Sequence, residues 1–134
     1  DAVEQGRVRD AVAALRRPAL LHVHPDETVS TAALIMAEHQ VGVLAVLASE
    51  APRVPGQITG SVSAGFLASR LTRGFEHIDQ GESALPLVGD GELVATALDR
   101  AGARGAVIVV REGQPLALLT TADLLAVLSA DPHA

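Results

Sequence analysis

The sequence predicts an α+β fold made of two βαββα repeats that pack as a pseudo-two-fold pair. A strand that ends in a hydroxyl residue and turns into a helix occurs twice, at Ser63–Phe66 and at Thr120–Asp123. A helix, a glycine and a run of five apolar residues also occur twice, closing on residues 43–47 and 106–110. The 134 residues are 49% hydrophobic, which is enough apolar material for one compact module.

The N-terminal segment is predicted to be an amphipathic helix. Its apolar residues recur at helical spacing over positions 8–15. Arg16 and Arg17 precede Pro18, which cannot continue a helix. Both arginines are therefore predicted to be solvated at the helix end.

The first repeat begins with a short strand over residues 20–24. The helix that follows can be capped by Thr28 or Ser30, and Gly42 is expected to break it. Val43–Leu47 then reads as a buried strand. A long turn over 49–56 leads to the second strand and second helix.

The second repeat follows the same order. A strand over 85–88 precedes a helix predicted for 92–101, which Gly102 and Gly105 interrupt. Ala106–Val110 reads as a second buried strand, and a hairpin over 111–115 leads to the last strand and helix.

The spacing of the two repeats aligns their corners. Gly42 and Gly105 lie 63 positions apart. The turn before the last strand is longer in the first repeat, 49–56, than in the second, 111–115, so the corners after it lie 57 positions apart and Ser63 matches Thr120. Phe66 then stands where the second copy has Asp123. The predicted organisation is an N-terminal helix and linker over 1–17, a first repeat over 18–71, a linker over 72–83 and a second repeat over 84–130.

Composition narrows the classes of function. The net charge is −6, all ten basic residues are arginine, and Phe66 and Phe75 are the only aromatic residues of the Phe, Trp and Tyr type. An acidic surface without stacking side chains argues against nucleic-acid binding. No apolar run is long enough for a membrane span, and the absence of cysteine favours a cytoplasmic protein without thiolate metal sites. The histidines have no metal-ligand spacing, so no metal is predicted.

The order of these elements resembles a pair of CBS (cystathionine β-synthase) domains, also called a Bateman module. The segments that carry the resemblance are His24–Val29, Gln40–Val46 and Leu118–Leu125. A narrower similarity, in residues 8–12, 60–63 and 112–115, is to the C-terminal regulatory region of bacterial, especially actinobacterial, cystathionine β-synthases. Nothing in the chain resembles the pyridoxal-phosphate catalytic domain of those enzymes, and there is no lysine to form a Schiff base.

The resemblance implies a binding site for an adenosyl ligand. By family analogy Asp123 would accept hydrogen bonds from the two ribose hydroxyls, and Thr120 would fix the corner and donate to the ligand. The remaining implied residues would hold adenine or line the site: Val41, Gly42, Val43, Leu44, Leu21, His22, Leu118 and Ala122. Thr120 and Asp123 also fit a helix-capping pair, and Thr120 can serve both roles.

The two corners are expected to differ in binding. Phe66 cannot bind a diol and would close the first site or pack in the core. No cation precedes Asp123, since Thr121 and Ala122 occupy those positions, so a triphosphate clamp is disfavoured and S-adenosylmethionine is favoured over AMP or ATP. Arg104 or Arg53 could still reach a phosphate.

The predicted function is therefore that of a non-catalytic regulatory module. It would bind an adenosyl ligand, with S-adenosylmethionine as the preferred one, and control an attached pyridoxal-phosphate enzyme such as cystathionine β-synthase. The resemblance also implies a homodimer formed through the CBS helices. The alternatives are a pair that senses AMP or ATP, and a ligand-free pair that serves only dimerisation.

Overall fold

The protein is described by a computed structural model that covers residues 6–48 and 54–129. The chain divides into two compact units. The central unit comprises residues 21–84, and the terminal unit comprises the residues up to Leu20 together with those from Leu85 onward. The N-terminal segment therefore belongs with the second repeat, and the residues predicted as a linker, 72–83, belong with the first.

The central unit contains one three-stranded sheet and two helices. The elements in order are β1 (His22–Val23), α2 (Val29–His39), β2 (Val43–Leu47), β3 (Ile58–Ser63) and α3 (Ala64–Thr72). Strand β1 is parallel to β2, and β2 is antiparallel to β3. The apolar residues of both helices and of the inner sheet face form its core, with the side chains of Val23, Val46 and Val62 fully buried.

The terminal unit repeats that topology and adds one helix. The elements in order are α1 (Val8–Ala13), β4 (Leu87–Gly89), α4 (Val94–Ala101), β5 (Ala106–Arg111), β6 (Gln114–Thr120) and α5 (Thr121–Ser129). Strand β4 is parallel to β5, and β5 is antiparallel to β6. Helix α1 contributes Val8 and Ala11 to this core. The predicted α+β fold with two βαββα repeats is confirmed.

The strand registers confirm the alignment of the two repeats. Val43 pairs with Ser63, and Ala106 pairs with Thr120. Further along the strands, Gly60 lies opposite Val46 as Ala117 lies opposite Val109. The two hydroxyl residues thus occupy the same place at the end of the last strand in each unit.

The N-terminal helix is shorter than predicted. Residues 1–5 of the predicted helix lie outside the described residues, and α1 begins at Val8 because Arg7 is held extended by a β-bridge to Leu93. The Val8 amide donates to Glu92 O at 2.9 Å. The helix ends at Ala13, and Leu15 lies beyond it. Residues 15–20 therefore form an irregular connection with bends at Arg17, Ala19 and Leu20, which we call the N-terminal strap.

Helix ends also differ from the prediction in two places. Helix α2 is capped by Thr28, which was one of the two predicted caps. Its other end is at Gln40 and not at Gly42, because Gln40 adopts the left-handed conformation at φ 56°. Helix α4 begins at Val94 and not at 92, because the Glu92 carboxylate folds back to accept the Gly89 amide at 2.6 Å. Gly102 and Gly105 both have a positive φ, 49° and 76°, and Gly105 is in the left-handed helical region, so the predicted interruption is confirmed.

Candidate functional site

The Thr120–Asp123 corner joins β6 to α5 by a reciprocal cap. The Asp123 amide donates to Thr120 Oγ1 at 3.3 Å, and the Thr120 amide donates to Asp123 Oδ2 at 2.8 Å. The Thr120 hydroxyl also donates to Oδ2, at 2.9 Å. The capping interpretation of this pair is therefore confirmed, and the carboxylate lies at the positive end of the helix.

Arg17 binds the same carboxylate. Its Nη1 donates to Asp123 Oδ1 at 3.0 Å and its Nη2 donates to Oδ2 at 2.7 Å, a bidentate ion pair. Nη2 also donates to the carbonyl of Leu118 at 3.2 Å. The side chains of Arg17 and Asp123 are 13% and 19% exposed. The prediction that Arg17 is solvated is wrong, because the N-terminal strap carries it onto the corner.

The sequence offered no cation directly before Asp123 and named Arg104 or Arg53 as arginines that could reach the corner from elsewhere. Arg17, 106 positions away, is the one that bonds the carboxylate, and Arg53 lies outside the described residues. No sequence pattern signals such a contact, because Arg17 precedes a proline and resembles an ordinary helix end. The sequence-based preference for a ligand without phosphates loses its basis here.

The charge state of Asp123 follows from these contacts. Burial raises the pKa of its carboxyl, and the hydrogen bonds from Arg17 and Thr120 lower the pKa by more. The pKa therefore lies below the ordinary value of 3.8, and Asp123 is ionised at neutral pH. An ionised carboxylate accepts hydrogen bonds only, which is the state that a diol requires.

The other predicted residues of the terminal unit lie close to this corner in sequence. Ala122 is exposed in the first turn of α5, and Leu118 is buried in β6. The Thr121 amide donates to Gly105 O at 3.0 Å, so the glycine before β5 fixes the start of the helix. Gly42 does the same in the central unit, where its carbonyl accepts the Ala64 amide at 3.0 Å.

The predicted adenine-binding residues belong to the central unit. Val41 is half-buried and Gly42 is exposed, while Val43 and Leu44 are buried in β2. The Val41 amide already donates to Met36 O at 3.0 Å. Leu21 is buried and its carbonyl accepts the Ala45 amide at 3.2 Å. His22 lies on β1 with its ring 5.1 Å from that of His24, edge to face.

The first corner, Ser63–Phe66, is capped but has no carboxylate of its own. Ser63 Oγ accepts the Phe66 amide at 3.1 Å, and Phe66 packs against the core of the central unit. The guanidinium of Arg70 lies 5.9 Å from its ring centroid. The interpretation of Phe66 as a packing aromatic is confirmed.

A carboxylate nevertheless reaches the first corner from outside the helix. Ser63 Oγ donates to Glu82 Oε1 at 2.8 Å. Glu82 lies in residues 80–84, which we call the linker strap, and it pairs with the edge of β3 through two backbone hydrogen bonds with Ser61, of 2.7 and 2.9 Å. Glu82 falls in the segment predicted as a linker, 72–83, for which the sequence predicts no contact to the corner.

Neither a metal site nor a membrane span is found in the described part of the chain. Residues 6–48 and 54–129 contain no group of three His, Asp or Glu side chains placed to hold a metal ion. Within the same ranges no helix combines the length and the apolar character that a membrane span requires.

Comparison with known proteins agrees with the repeat architecture. A CBS-domain family model matches residues 8–61. The fold is similar to the CBS domain of a bacterial CNNM/CorC family Mg²⁺ transporter in complex with ATP, with a TM-score of 0.73 and 17% identity, over 94% of this chain and 89% of that one.

Two further structures have the same fold. A hemolysin-like protein containing a CBS domain, from Oenococcus oeni, aligns with a TM-score of 0.71 and 18% identity over 96% of this chain and 93% of the other. CBSX2 in complex with AMP aligns with a TM-score of 0.68 and 18% identity over 92% and 96%. Residues 8–61 therefore match the CBS-domain family in sequence, and the chain as a whole has the fold of a tandem CBS-domain pair.

Proposed function

We propose that this chain is a non-catalytic regulatory module that binds an adenosyl ligand at the Thr120–Asp123 corner. The observation that carries the proposal is the ionised, partly exposed Asp123 carboxylate, held by Thr120 at a helix start. A fixed carboxylate offers two acceptor oxygens to the vicinal hydroxyls of a ribose. Structures of the same fold contain AMP and ATP, which supports the adenosyl class.

The other residues proposed to bind the ligand are those named by the family resemblance. Thr120 positions Asp123, while Ala122 and Leu118 belong to its surroundings. Val41–Leu44 are proposed to hold adenine, and Leu21 and His22, which precede α2, are proposed to line the site. These residues belong to the central unit, whereas Thr120, Ala122 and Leu118 belong to the terminal unit.

The proposed ligand is an adenosyl compound: S-adenosylmethionine, AMP or ATP. The narrower resemblance favours S-adenosylmethionine and an attached pyridoxal-phosphate enzyme such as a cystathionine β-synthase. AMP and ATP stand beside it, because Arg17 supplies a guanidinium next to the corner and guanidinium groups bind phosphate. Regulation would act by linkage: ligand binding would change the free-energy difference between two states of an attached partner by about 1–3 kcal/mol. A cytoplasmic location accords with the chain's lack of cysteine.

Isothermal titration calorimetry tests the proposal. S-adenosylmethionine, S-adenosylhomocysteine, AMP and ATP are titrated into the wild type and into Asp123→Asn, which keeps the side-chain shape and removes the charge. We expect at least one ligand to bind the wild type and to lose about ten-fold or more in affinity with Asp123→Asn, because a charge-assisted hydrogen bond contributes about 1.5–3 kcal/mol.

The matched control is Asp90→Asn. Asp90 belongs to the terminal unit and forms an ion pair with Arg111 at 2.7 Å, away from the corner. Its neutralisation should leave ligand affinity unchanged. Absence of binding by all four ligands, or equal losses in both variants, would overturn the proposed site.

A role in dimerisation alone is the second candidate, and an apolar groove favours it. Helices α2 and α3 of the central unit enclose a groove of about 410 Å³ lined by apolar side chains that include Met36, Val41 and Leu67. Leu71 at its rim is 54% exposed, and Leu34 on α2 is 67% exposed. We propose a homodimer formed through these helices.

Sedimentation equilibrium of the wild type and of Leu71→Glu tests this proposal. A charge in an apolar interface is costly, so the variant should sediment as a monomer where the wild type is a dimer. Exposed Leu125 on α5, changed to Glu, is the control for a surface leucine outside this groove. A monomeric wild type would exclude the dimer. A dimer that binds no adenosyl ligand would leave dimerisation as the function.

A further inference from the structure

We propose that Arg17 is an intramolecular competitor of the ribose at Asp123, so that an adenosyl ligand must displace its guanidinium in order to bind. This inference rests on the proposed function. It assigns to Arg17, a residue outside both βαββα repeats, control over the affinity of the site. Four features of the terminal unit support it.

The first feature is the occupancy of the carboxylate. Asp123 Oδ2 accepts three hydrogen bonds, from the Thr120 amide, the Thr120 hydroxyl and Arg17 Nη2. Oδ1 accepts one, from Arg17 Nη1. A carboxylate offers about four lone-pair positions in all. The two hydroxyl donors of a ribose therefore find too few acceptor positions while Arg17 stays in place.

The second feature is which donors can leave. The two Thr120 donors are part of the cap that starts α5, so they move only if the helix end unravels. Arg17 lies on the N-terminal strap, which belongs to no helix or strand. The arginine is therefore the partner that a ligand can replace. Its removal leaves the two Thr120 donors on Oδ2 and none on Oδ1, so two of the four positions become free.

The third feature is the incomplete bonding of the guanidinium. Within the described residues, Arg17 Nε is buried and has no hydrogen-bond acceptor. A buried donor left unsatisfied has lost its bonds to water without replacing them, which lowers the net stability of the closed arrangement. Release of the side chain into water restores those bonds, so displacement requires less free energy than the two short ion-pair contacts suggest.

The fourth feature is the way the strap is attached. Besides Arg17, the strap is held at β6 by the Leu118 amide, which donates to Ala19 O at 2.8 Å. Arg17 Nη2 bonds the carbonyl of the same Leu118. The side chain thus joins the strap, the strand and the carboxylate at one point, and displacement by a ligand would loosen the strap that follows α1.

The test compares wild type with Arg17→Gln by calorimetric titration of adenosine, which has the diol but no phosphate or sulfonium group. Removal of the competitor should tighten adenosine binding by about five-fold or more, the lower end of typical coupling between sites. Arg17→Lys, which keeps one charge but cannot bond both oxygens, should lie between the two. Arg111→Gln removes an arginine of another ion pair in the same unit and should change nothing.

A second ligand separates competition from a general structural effect. 2′-Deoxyadenosine lacks the diol, so Arg17→Gln should change its affinity little, and the preference for adenosine over the deoxy compound should grow. If wild type binds adenosine and Arg17→Gln binds it equally or more weakly, Arg17 is not a competitor, although the proposed function stands. If Arg17→Gln binds where wild type does not, the competition is confirmed. If neither protein binds adenosine or any other adenosyl ligand, the proposed function and the competition both fail.

Discussion

The two corners of this molecule use the same scaffold with their charges arranged differently. In both, a hydroxyl residue ends the last strand and caps the following helix. In the terminal unit the acid is Asp123 in the helix, and the N-terminal strap brings Arg17 to it. In the central unit the helix has Phe66, and the linker strap brings Glu82 to Ser63.

The straps occupy related positions in the repeat. His22 on β1 and Leu87 on β4 hold the same place in their sheets and lie 65 positions apart. Arg17 and Glu82 are also 65 positions apart, so they occupy equivalent places before the first strand of each repeat. Both straps run along the free edge of the last strand, at Leu118 in one unit and at Ser61 in the other. The comparison shows that the segment before each repeat decides the chemistry of a corner as much as the corner residues do.

The acids differ in how much of their hydrogen-bonding capacity is used. Asp123 is mostly buried and accepts four hydrogen bonds, two of them from Arg17. Glu82 is exposed, and no arginine lies within ion-pair distance of it among the residues that the structure describes. The first corner is an open surface carboxylate, and the second is a preorganised one that an internal cation covers.

The largest expected effect concerns the backbone fit of the linker strap. A Cβ at Gly60 would meet the carbonyl oxygens of Gln80 and Glu82, the latter at 2.7 Å. Because both obstacles are backbone atoms, Gly60→Ala should destabilise the protein by about 3 kcal/mol, measured by urea denaturation. The equivalent residue in the terminal unit is Ala117, where a Cβ is already accommodated.

Ala117→Gly is therefore the matched control, and it should cost only about 1 kcal/mol through lost burial and added chain entropy. A cost of Gly60→Ala no larger than that of Ala117→Gly would show that the linker strap accommodates a Cβ at residue 60, and would remove this difference between the corners.

The next effect concerns the two acids. Asp123→Ala removes the cap contact and leaves Arg17 partly buried without its partner, so it should destabilise the protein by about 2–3 kcal/mol. The exposed Glu82→Ala should change the free energy of unfolding by less than about 0.5 kcal/mol. Thermal unfolding of both variants measures the difference. Equal costs would show that the Arg17 ion pair contributes nothing to stability.

The smallest effect is the dependence of stability on pH. The pKa of Asp123 is lower in the folded protein than its ordinary value of 3.8, so the folded state favours the ionised form. Its contribution is complete above pH 3.8 and is lost as the pH falls from there through the lowered pKa of the folded state. The stability difference between wild type and Asp123→Asn, followed by urea denaturation at successive pH values, should shrink over that range. A difference that grows on acidification would contradict the lowered pKa.

The sequence predicted the repeat, the buried strands and the cap at Thr120 because these depend on short-range patterns. The alternation of helix, glycine and apolar run fixed residues 43–47 as a strand, and the hydroxyl three positions before Asp123 fixed the start of α5. The contacts of Arg17 and Glu82 could not be predicted in this way. Each depends on how an irregular segment lies along a strand edge, and no local pattern specifies that path.

Recording ¹H–¹⁵N NMR spectra during an AMP titration tests most directly whether the Asp123 corner is the ligand corner. We expect saturable shifts of the Thr120 and Asp123 amides, with the Phe66 amide unchanged. Asp123→Asn should weaken the response, and Asp90→Asn should not. Shifts at Phe66 without shifts at Asp123, or no response at either corner to AMP or to S-adenosylmethionine, would contradict this assignment.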